Sequence, residues 1–529
     1  GFSKLKDQAE FQSLYEAGLS RAMGDWLLGM NATRLYTLKY GQNKQVLSIG
    51  RVQTPTLALI VNRQLEIATF EPKQYWELKT NYRNTTFSAL IRKSDEEIAA
   101  EEEKNGGKKK IDNPGIDPIA NREEGEALVE RMKDLPFVVT NVGKKDGKEY
   151  APRLFDLTSL QVECNKKFAY SADETLKLIQ SLYEKKVATY PRVDTTFLSD
   201  DIYPKCPAIL KGLRDYEVLT APLAGTTLLK SKKVFDNSKV TDHHAIIPTV
   251  EIARTDLSEL PSGERDVLTL LAVRLLCATT QVHRFEAVTA ILDCQGYTFT
   301  AKGKTILQSG WKEVERIHRM SIRQSETEHR ENEDAALPVL KEGQTFETVS
   351  ASLREGKTSP PKHYTEDTLL SAMETAGKED MPEEAERKGL GTPATRAAII
   401  EKLVATGFVE RKRAKKAVSL VPAHTGVSLI TVLPEQLQSP LLTAEWEYRL
   451  QQVERGELSP DEFMTGIADM LTELVKTYQV ISGAEVLFPS GREIIGKCPR
   501  CGSDVTESKK GFFCEKNDCR FGLWRDNKF

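Results

Sequence analysis

A multidomain α+β protein is what this sequence predicts, on three observations. Apolar residues recur at helical spacing in several stretches. Two separated stretches alternate apolar and polar as strands do. Four of the 8 cysteines crowd into the last forty or so residues. At 529 residues the chain is also too long for a single core.

The elements follow in order. Tyr75-Trp-Glu-Leu-Lys-Thr-Asn-Tyr82 alternates and predicts a strand. Residues 94–115 carry charge blocks around a Gly-Gly and read as a solvated insert. Ser171-Ala-Asp-Glu174 is a capping box, and Leu176, Ile179, Leu182 and Tyr183 follow at helical spacing. That helix runs into Lys186-Val-Ala-Thr-Tyr-Pro-Arg-Val-Asp-Thr195. Pro191 biases Tyr190 toward extended backbone, where residues two apart share a face, so the Tyr190 phenol and the Arg192 guanidinium are expected to point into one space. A tyrosine oxygen can serve as a covalent nucleophile, and arginine pairs naturally with phosphate. Alone, the triplet favours the plainer reading of a buried tyrosine beside a surface arginine, and the flanking residues reverse that balance.

Thr241-Asp-His-His-Ala-Ile-Ile-Pro-Thr249 places two histidines together in a chain with only 7. One could be a core imidazole, and a zinc pair is conceivable, although no accompanying ligand spacing is present. A histidine near a phosphoryl centre could also donate to a phosphate oxygen or relay a proton. Phe285–Asp293 alternates as a second strand region, and residues 321–336 form a second charged insert. Thr392-Pro393 opens a helix that Gly407 ends, and Phe408–Val421 reads as a hairpin with a basic turn at Lys412–Lys416. Helix followed by basic hairpin suggests a winged-helix unit, and its turn is either a DNA contact or a solvated tip.

Cys498-x2-Cys501-x12-Cys514-x4-Cys519 has the spacing of a closed four-thiolate zinc ribbon, with paired disulfides as the competing assignment. Cys164, Cys206, Cys277 and Cys294 are scattered like small core residues. Phe512, Phe513, Phe521 and Trp524 stand among Arg500, Lys509, Lys510 and Arg520 in the ribbon, as a small core or as a stacking surface for single strands. The 40% hydrophobic and 29% charged fractions are ordinary for a soluble protein, and the net charge of −3 argues neither for nor against a DNA partner. No apolar run approaches membrane-spanning length, so a cytoplasmic protein is expected.

Three pieces in order, Pro152-Arg-Leu-Phe-Asp-Leu-Thr-Ser-Leu-Gln161, then Leu-Tyr-Glu through Thr-Tyr-Pro-Arg192, then His-His-Ala-Ile-Ile-Pro-Thr249, resemble the type IA DNA topoisomerases, and more closely their bacterial topoisomerase III branch. Gly18–Arg34, Ser48–Leu57, Gly389–Ile400 and Thr443–Glu447 resemble further family motifs, so the likeness runs from about residue 10 to the end. It implies a toroid of helical domains with a β arch and a C-terminal zinc ribbon. The parts would be 1–69 and 366–488 (the helical DNA gate), 70–150 and 285–365 (the arch), 151–284 (the tyrosine domain) and 489–529 (the ribbon).

The resemblance implies single-strand cleavage through a 5′-phosphotyrosine, strand passage and religation without ATP, acting on negatively supercoiled or intertwined DNA. Tyr190 would be the nucleophile, with Arg192 and His243 at the phosphate. Arg34, Arg51, Gln53 and Arg396 would contact the DNA strand. The partners implied are single-stranded and negatively supercoiled DNA and a helicase, for a nucleoid-associated monomer. The family's N-terminal acidic domain, which holds Mg2+, has no counterpart motif here, and the chain begins at Gly1, so a truncated sequence or excised fragment is expected. The competing function is then a catalytically incomplete fragment that only binds single-stranded DNA.

Overall fold

The computed structural model describes residues 7–41, 45–94, 97–98, 116–212, 228–240, 242–322, 336–346, 350–377, 389–414, 417–478, 487–488, 494–508, 511–516 and 518–525. Most of the two charged inserts, and with them Lys415, Lys416, Lys509 and Lys510, lie outside these residues. The chain falls into two compact units, each gathering distant stretches: residues 66–164 with 174–362, and residues 1–65 with 165–173 and 363–529.

The first unit is built on a seven-stranded antiparallel sheet. Its strands are β1 (Gln74–Tyr82), β2 (Thr85–Ala89), β3 (Phe137–Glu149), β4 (His283–Cys294), β5 (Tyr297–Gln308), β6 (Thr345–Phe346) and β7 (Ala351–Lys357), in the order β6-β3-β4-β5-β2-β1-β7. Both stretches that alternate in the sequence therefore join one sheet. Two-residue turns with positive φ close its hairpins: Arg83 and Asn84 between β1 and β2, Gln295 and Gly296 between β4 and β5. Such turns match the twist of paired strands. Leu78, Phe87, Val139, Ala290, Leu292 and Phe299 alternate onto one face and form a core with Met132 of the Arg122–Met132 helix. The period of two sends Lys79, Lys145 and Lys302 to the other face.

The same unit carries the helices Ala172–Glu184 and Ser262–Ala278. The Ser262–Ala278 helix is apolar nearly all round and is buried accordingly, with Val267, Leu268, Leu271 and Leu275 sealed from solvent. The Trp311–Ile322 helix lies against it, and the Trp311 indole donates to the Glu149 carbonyl at 3.0 Å.

The second unit is mainly helical. The 29-residue helix Gln12–Tyr40 buries Ala17, Ser20, Gly24, Leu28, Ala32 and Tyr36, a line spaced three and four apart, and contacts the helices Leu441–Glu454 and Pro460–Thr477. Gly24 faces both of those helices at close range. A Cβ there would sit 2.6 Å from Ile467 and 3.2 Å from Trp446. The Pro393–Ala405 helix has a capping box between Thr392 and Thr395, and Gly407 closes it at φ 74°. β8 (Val409–Ala414) and β9 (Ala417–Pro422) follow as a hairpin. The last sheet orders β10 (Ile494–Lys497), β11 (Asp504–Ser508), β12 (Gly511–Cys514) and β13 (Gly522–Trp524) sequentially. No described helix is long and apolar enough to cross a membrane.

Candidate active site

Lys186 adopts a left-handed conformation (φ 64°) and turns the chain out of the Ala172–Glu184 helix. Val187 and Ala188 are then buried in a short extended pairing with residues 247–249. The Thr189 amide donates to Ile247 O at 3.0 Å, and the Thr249 amide donates to Val187 O at 2.9 Å. The Thr189 hydroxyl accepts the Ile247 amide at 3.0 Å. Further along, the Leu157 amide reaches Val193 O at 3.2 Å, Ile246 reaches Phe155 O at 2.8 Å, and Ala245 reaches Phe197 O at 2.8 Å. Three stretches far apart in sequence are thereby knitted around Tyr190 by main-chain hydrogen bonds.

These bonds leave the side chains at the surface. Tyr190 is half-buried, while His243 and Arg192 are exposed. The His243 imidazole lies tilted on the Tyr190 ring, with centroids 4.5 Å apart and planes at 35°. Tyr183 also meets the Tyr190 ring, edge to face, with centroids 5.5 Å apart. His244 is turned inward, with its Nδ1 2.8 Å from the Ala245 carbonyl. Tyr190 and His243 are therefore brought together, and Arg192 stands two residues on with no ion pair among the described residues. A phenol, an imidazole and an open guanidinium on one rigid loop assembly are suited to attack on a phosphoryl group.

A different centre forms around Arg51. Thr33 and Thr37 of the Gln12–Tyr40 helix accept the amides of Ile49 and Leu47 at 2.9 and 3.0 Å and fix the loop that carries it. Arg51 is 6% exposed. It donates to both Asp25 carboxylate oxygens at 2.8 and 3.2 Å and to Glu447 at 2.8 Å, and its guanidinium lies 5.3 Å from the Trp446 ring. Arg21 takes the second Glu447 oxygen at 2.6 Å. A cavity of about 270 Å3 opens beside this cluster, lined also by Gly389, Thr392 and Thr395. Gln53 is buried, with its amide 3.4 Å from Ser48 O. Arg396 is buried too and donates to Leu390 O at 3.2 Å. Of the four residues expected to touch DNA, only Arg34 is exposed.

The cysteine quartet is assembled. All four Sγ atoms lie within 4.8 Å of one another, with Cys498–Cys519 and Cys501–Cys514 at 3.5 Å. A disulfide needs about 2.05 Å, and none joins them. Hydrogen bonds from Ser503 draw the Cys501 thiol down to about 6, while desolvation pushes Cys514 up to about 12 and the contact with Cys501 raises Cys519. Cys164, Cys206, Cys277 and Cys294 are buried singly in the cores, and burial raises the Cys206 thiol to about 11.

Sequence reasoning did not single out Asp25, Glu447, Tyr183 or Thr189. All four stand inside recognised motifs, but the partner each would meet is not readable locally. A carboxylate set flanked by apolar residues, as in Ala444-Glu-Trp-Glu447, was the available signal for a buried ion pair.

A family model described as DNA topoisomerase matches residues 9–465. The chain belongs to the DNA topoisomerase family. Its curated relatives include DNA topoisomerase 3 of Bacillus subtilis and of Bacillus licheniformis, each 35% identical over 98% of this chain and 68% of its own length. Among solved structures, full-length topoisomerase I from Thermotoga maritima has the same fold, with a TM-score of 0.62 and 21% identity over 96% of this chain and 76% of that one. The chain is thus a DNA topoisomerase of type IA. A match to enzymes across nearly all of its length disfavours the reading as a mere strand-binding fragment.

Proposed function

We propose that the Tyr190 hydroxyl is the nucleophile that opens a single DNA strand. Its oxygen attacks the phosphorus, the proton of the phenol departs, and the bond from phosphorus to the 3′ oxygen breaks. The 3′ oxygen leaves as a hydroxyl after taking up a proton, and the 5′ phosphate remains esterified to Tyr190. One phosphate ester replaces another, so the reverse reaction reseals the strand without ATP. Passage of a second strand through the gap relaxes negatively supercoiled DNA and unlinks intertwined molecules.

The observation that carries this reading is the 4.5 Å stacking of His243 on Tyr190 on main chain that is hydrogen-bonded on both sides. His243 would hold a phosphate oxygen or pass a proton. Arg192 would balance the charge that develops on the phosphate. Arg34 would contact the strand directly. Arg51, Gln53 and Arg396, being buried, would shape the strand's groove from beneath. Among the described residues the cysteine quartet is the only group of three or more metal-ligating side chains, and no step is assigned to Mg2+. The quartet does fit Zn2+, since a tetrahedral four-thiolate site puts its sulfurs about 3.8 Å apart. Bound there, zinc would cross-link the ribbon. The protein would work as a monomer in the cytoplasm, with a helicase supplying single strands.

The test is a denaturant quench of the chain on single-stranded DNA labelled at its 3′ end. Label carried on the protein is the expected result. Label on the protein only when placed at the 5′ end would reverse the proposed polarity, and no adduct under any labelling would remove the covalent step.

A further inference from the structure

We infer that a cationic ledge formed by Tyr150, Arg153, Phe197, Lys232, Lys233 and Lys239 binds the phosphates of a single DNA strand beside the Tyr190 centre. The inference rests on Tyr190 being the place where the strand is cut, and it adds a binding surface outside the Tyr190, His243 and Arg192 group.

Three chain segments build the ledge. Residues 195–198 continue from Tyr190, and Leu198 donates its amide to Val234 O at 2.8 Å in a parallel bridge, which lays Lys232 and Lys233 beside Phe197. The Thr195 hydroxyl donates to Lys239 O at 2.8 Å and fixes the far end of the same segment, four residues before His243. The irregular stretch between β3 and Phe155 supplies Tyr150 and Arg153. Two cation–π contacts interlock the segments: Lys233 Nζ lies 3.2 Å from the Tyr150 ring centre, and Arg153 Cζ lies 5.3 Å from that of Phe197. Such contacts orient a cation without neutralising it.

The charge on this surface is unbalanced. Arg153, Lys232, Lys233 and Lys239 are exposed, and none makes an ion pair among the described residues. Elsewhere on the same unit, exposed cations find carboxylates: Arg92 with Asp117, Arg122 with Glu126, Lys133 with Glu130 and Lys205 with Asp201. The nearby acids do not close the balance. Asp236 accepts from Ser238 yet keeps its charge within electrostatic reach of Lys239 and Lys232, and with the exposed Asp194 and Asp242 it sets three carboxylates against four cations. Exposed cations left without an ion-pair partner are what a polyanion recognises. Tyr150 is 49% exposed, so the ring face away from Lys233 can take a base. Phe197 stands seven residues beyond Tyr190, at most about 25 Å away along extended chain, a span of a few nucleotides.

The test measures affinity for a single-stranded oligonucleotide against salt concentration, with the full chain carrying Tyr190→Phe so that covalent capture does not contribute. Lys232→Gln with Lys233→Gln should lower the slope of log affinity against log salt by about 1.4, and weaken binding about tenfold or more at moderate salt. Tyr150→Ala should weaken binding severalfold with little change in slope. Arg122→Gln with Lys133→Gln, which removes the same charge from a paired surface, should leave the slope unchanged. A ledge variant with the parent's slope, or a control pair that lowers it equally, would overturn the inference. Neither result bears on Tyr190 as nucleophile, which the adduct assay decides separately.

Discussion

The Tyr190 centre and the Arg51 centre are both assembled from distant motifs, yet they use their side chains in opposite ways. Around Tyr190 the main chain makes the structural bonds, and Arg192 and His243 are left open to solvent. Around Arg51 the side chains themselves are the structure, because Asp25, Glu447 and Arg21 close an ion-pair chain on a guanidinium that is 6% exposed. Polar groups held ready for a substrate are not consumed by the fold. Polar groups consumed by the fold act on a substrate only through what they support. Substitutions at the first centre should change chemistry with little change in stability, and substitutions at the second should do the reverse.

The largest effect should come from Tyr190→Phe. Adduct formation is expected to disappear, while the affinity for single-stranded DNA and the urea midpoint stay near those of the parent. Next is Glu447→Ala, which leaves Arg51 buried with half of its partners gone. Breaking a buried pair on one side costs about 3–5 kcal/mol, so a marked drop in the unfolding midpoint should appear by circular dichroism. If Glu447→Ala unfolded like the parent, the Arg51 cluster would not be the structural centre described here. Arg192→Ala should slow cleavage by about tenfold to a thousandfold while binding changes only a few fold. Equal losses would give Arg192 a positioning role instead. Asp25→Asn should be the mildest. Asp25 is 43% exposed, and Arg51 keeps Glu447, so about 1 kcal/mol or less is expected.

Zinc separates a third region from both. A chelator should release one zinc per chain, measured by a colorimetric assay, and should remove the ordered ribbon signals without moving the unfolding midpoint of the other regions. Release of no zinc from freshly purified protein would count against the four-thiolate site.

The contrast also explains what was legible in the sequence. Tyr190, Arg192 and His243 could be proposed as one site because the order and local pattern of their segments are themselves informative, and the structure stacks His243 on Tyr190. Pro191 and the preceding helix set the backbone at Tyr190 within about twenty residues. The cysteine quartet was legible because metal-ligand spacing is local. Arg51 and Arg396 were read as facing DNA, and the structure buries both. Arginine in a motif has no local mark of whether its partner is a phosphate or a carboxylate. The partners of Arg51 lie 26 residues before it and 396 after it, beyond the reach of any periodicity. The strands were legible where one face is buried, as in β1 and β4, since alternation records a single covered face. Their pairing across the long separation between β1 and β7 was not, because register depends on partners that the local pattern does not identify.

The most direct test of the central claim is to digest the trapped protein–DNA adduct with trypsin and nuclease and to locate the remaining nucleotide by mass spectrometry. The account predicts a phosphonucleotide on the peptide that carries Tyr190. A modification on Tyr183, or on any other residue, would contradict it.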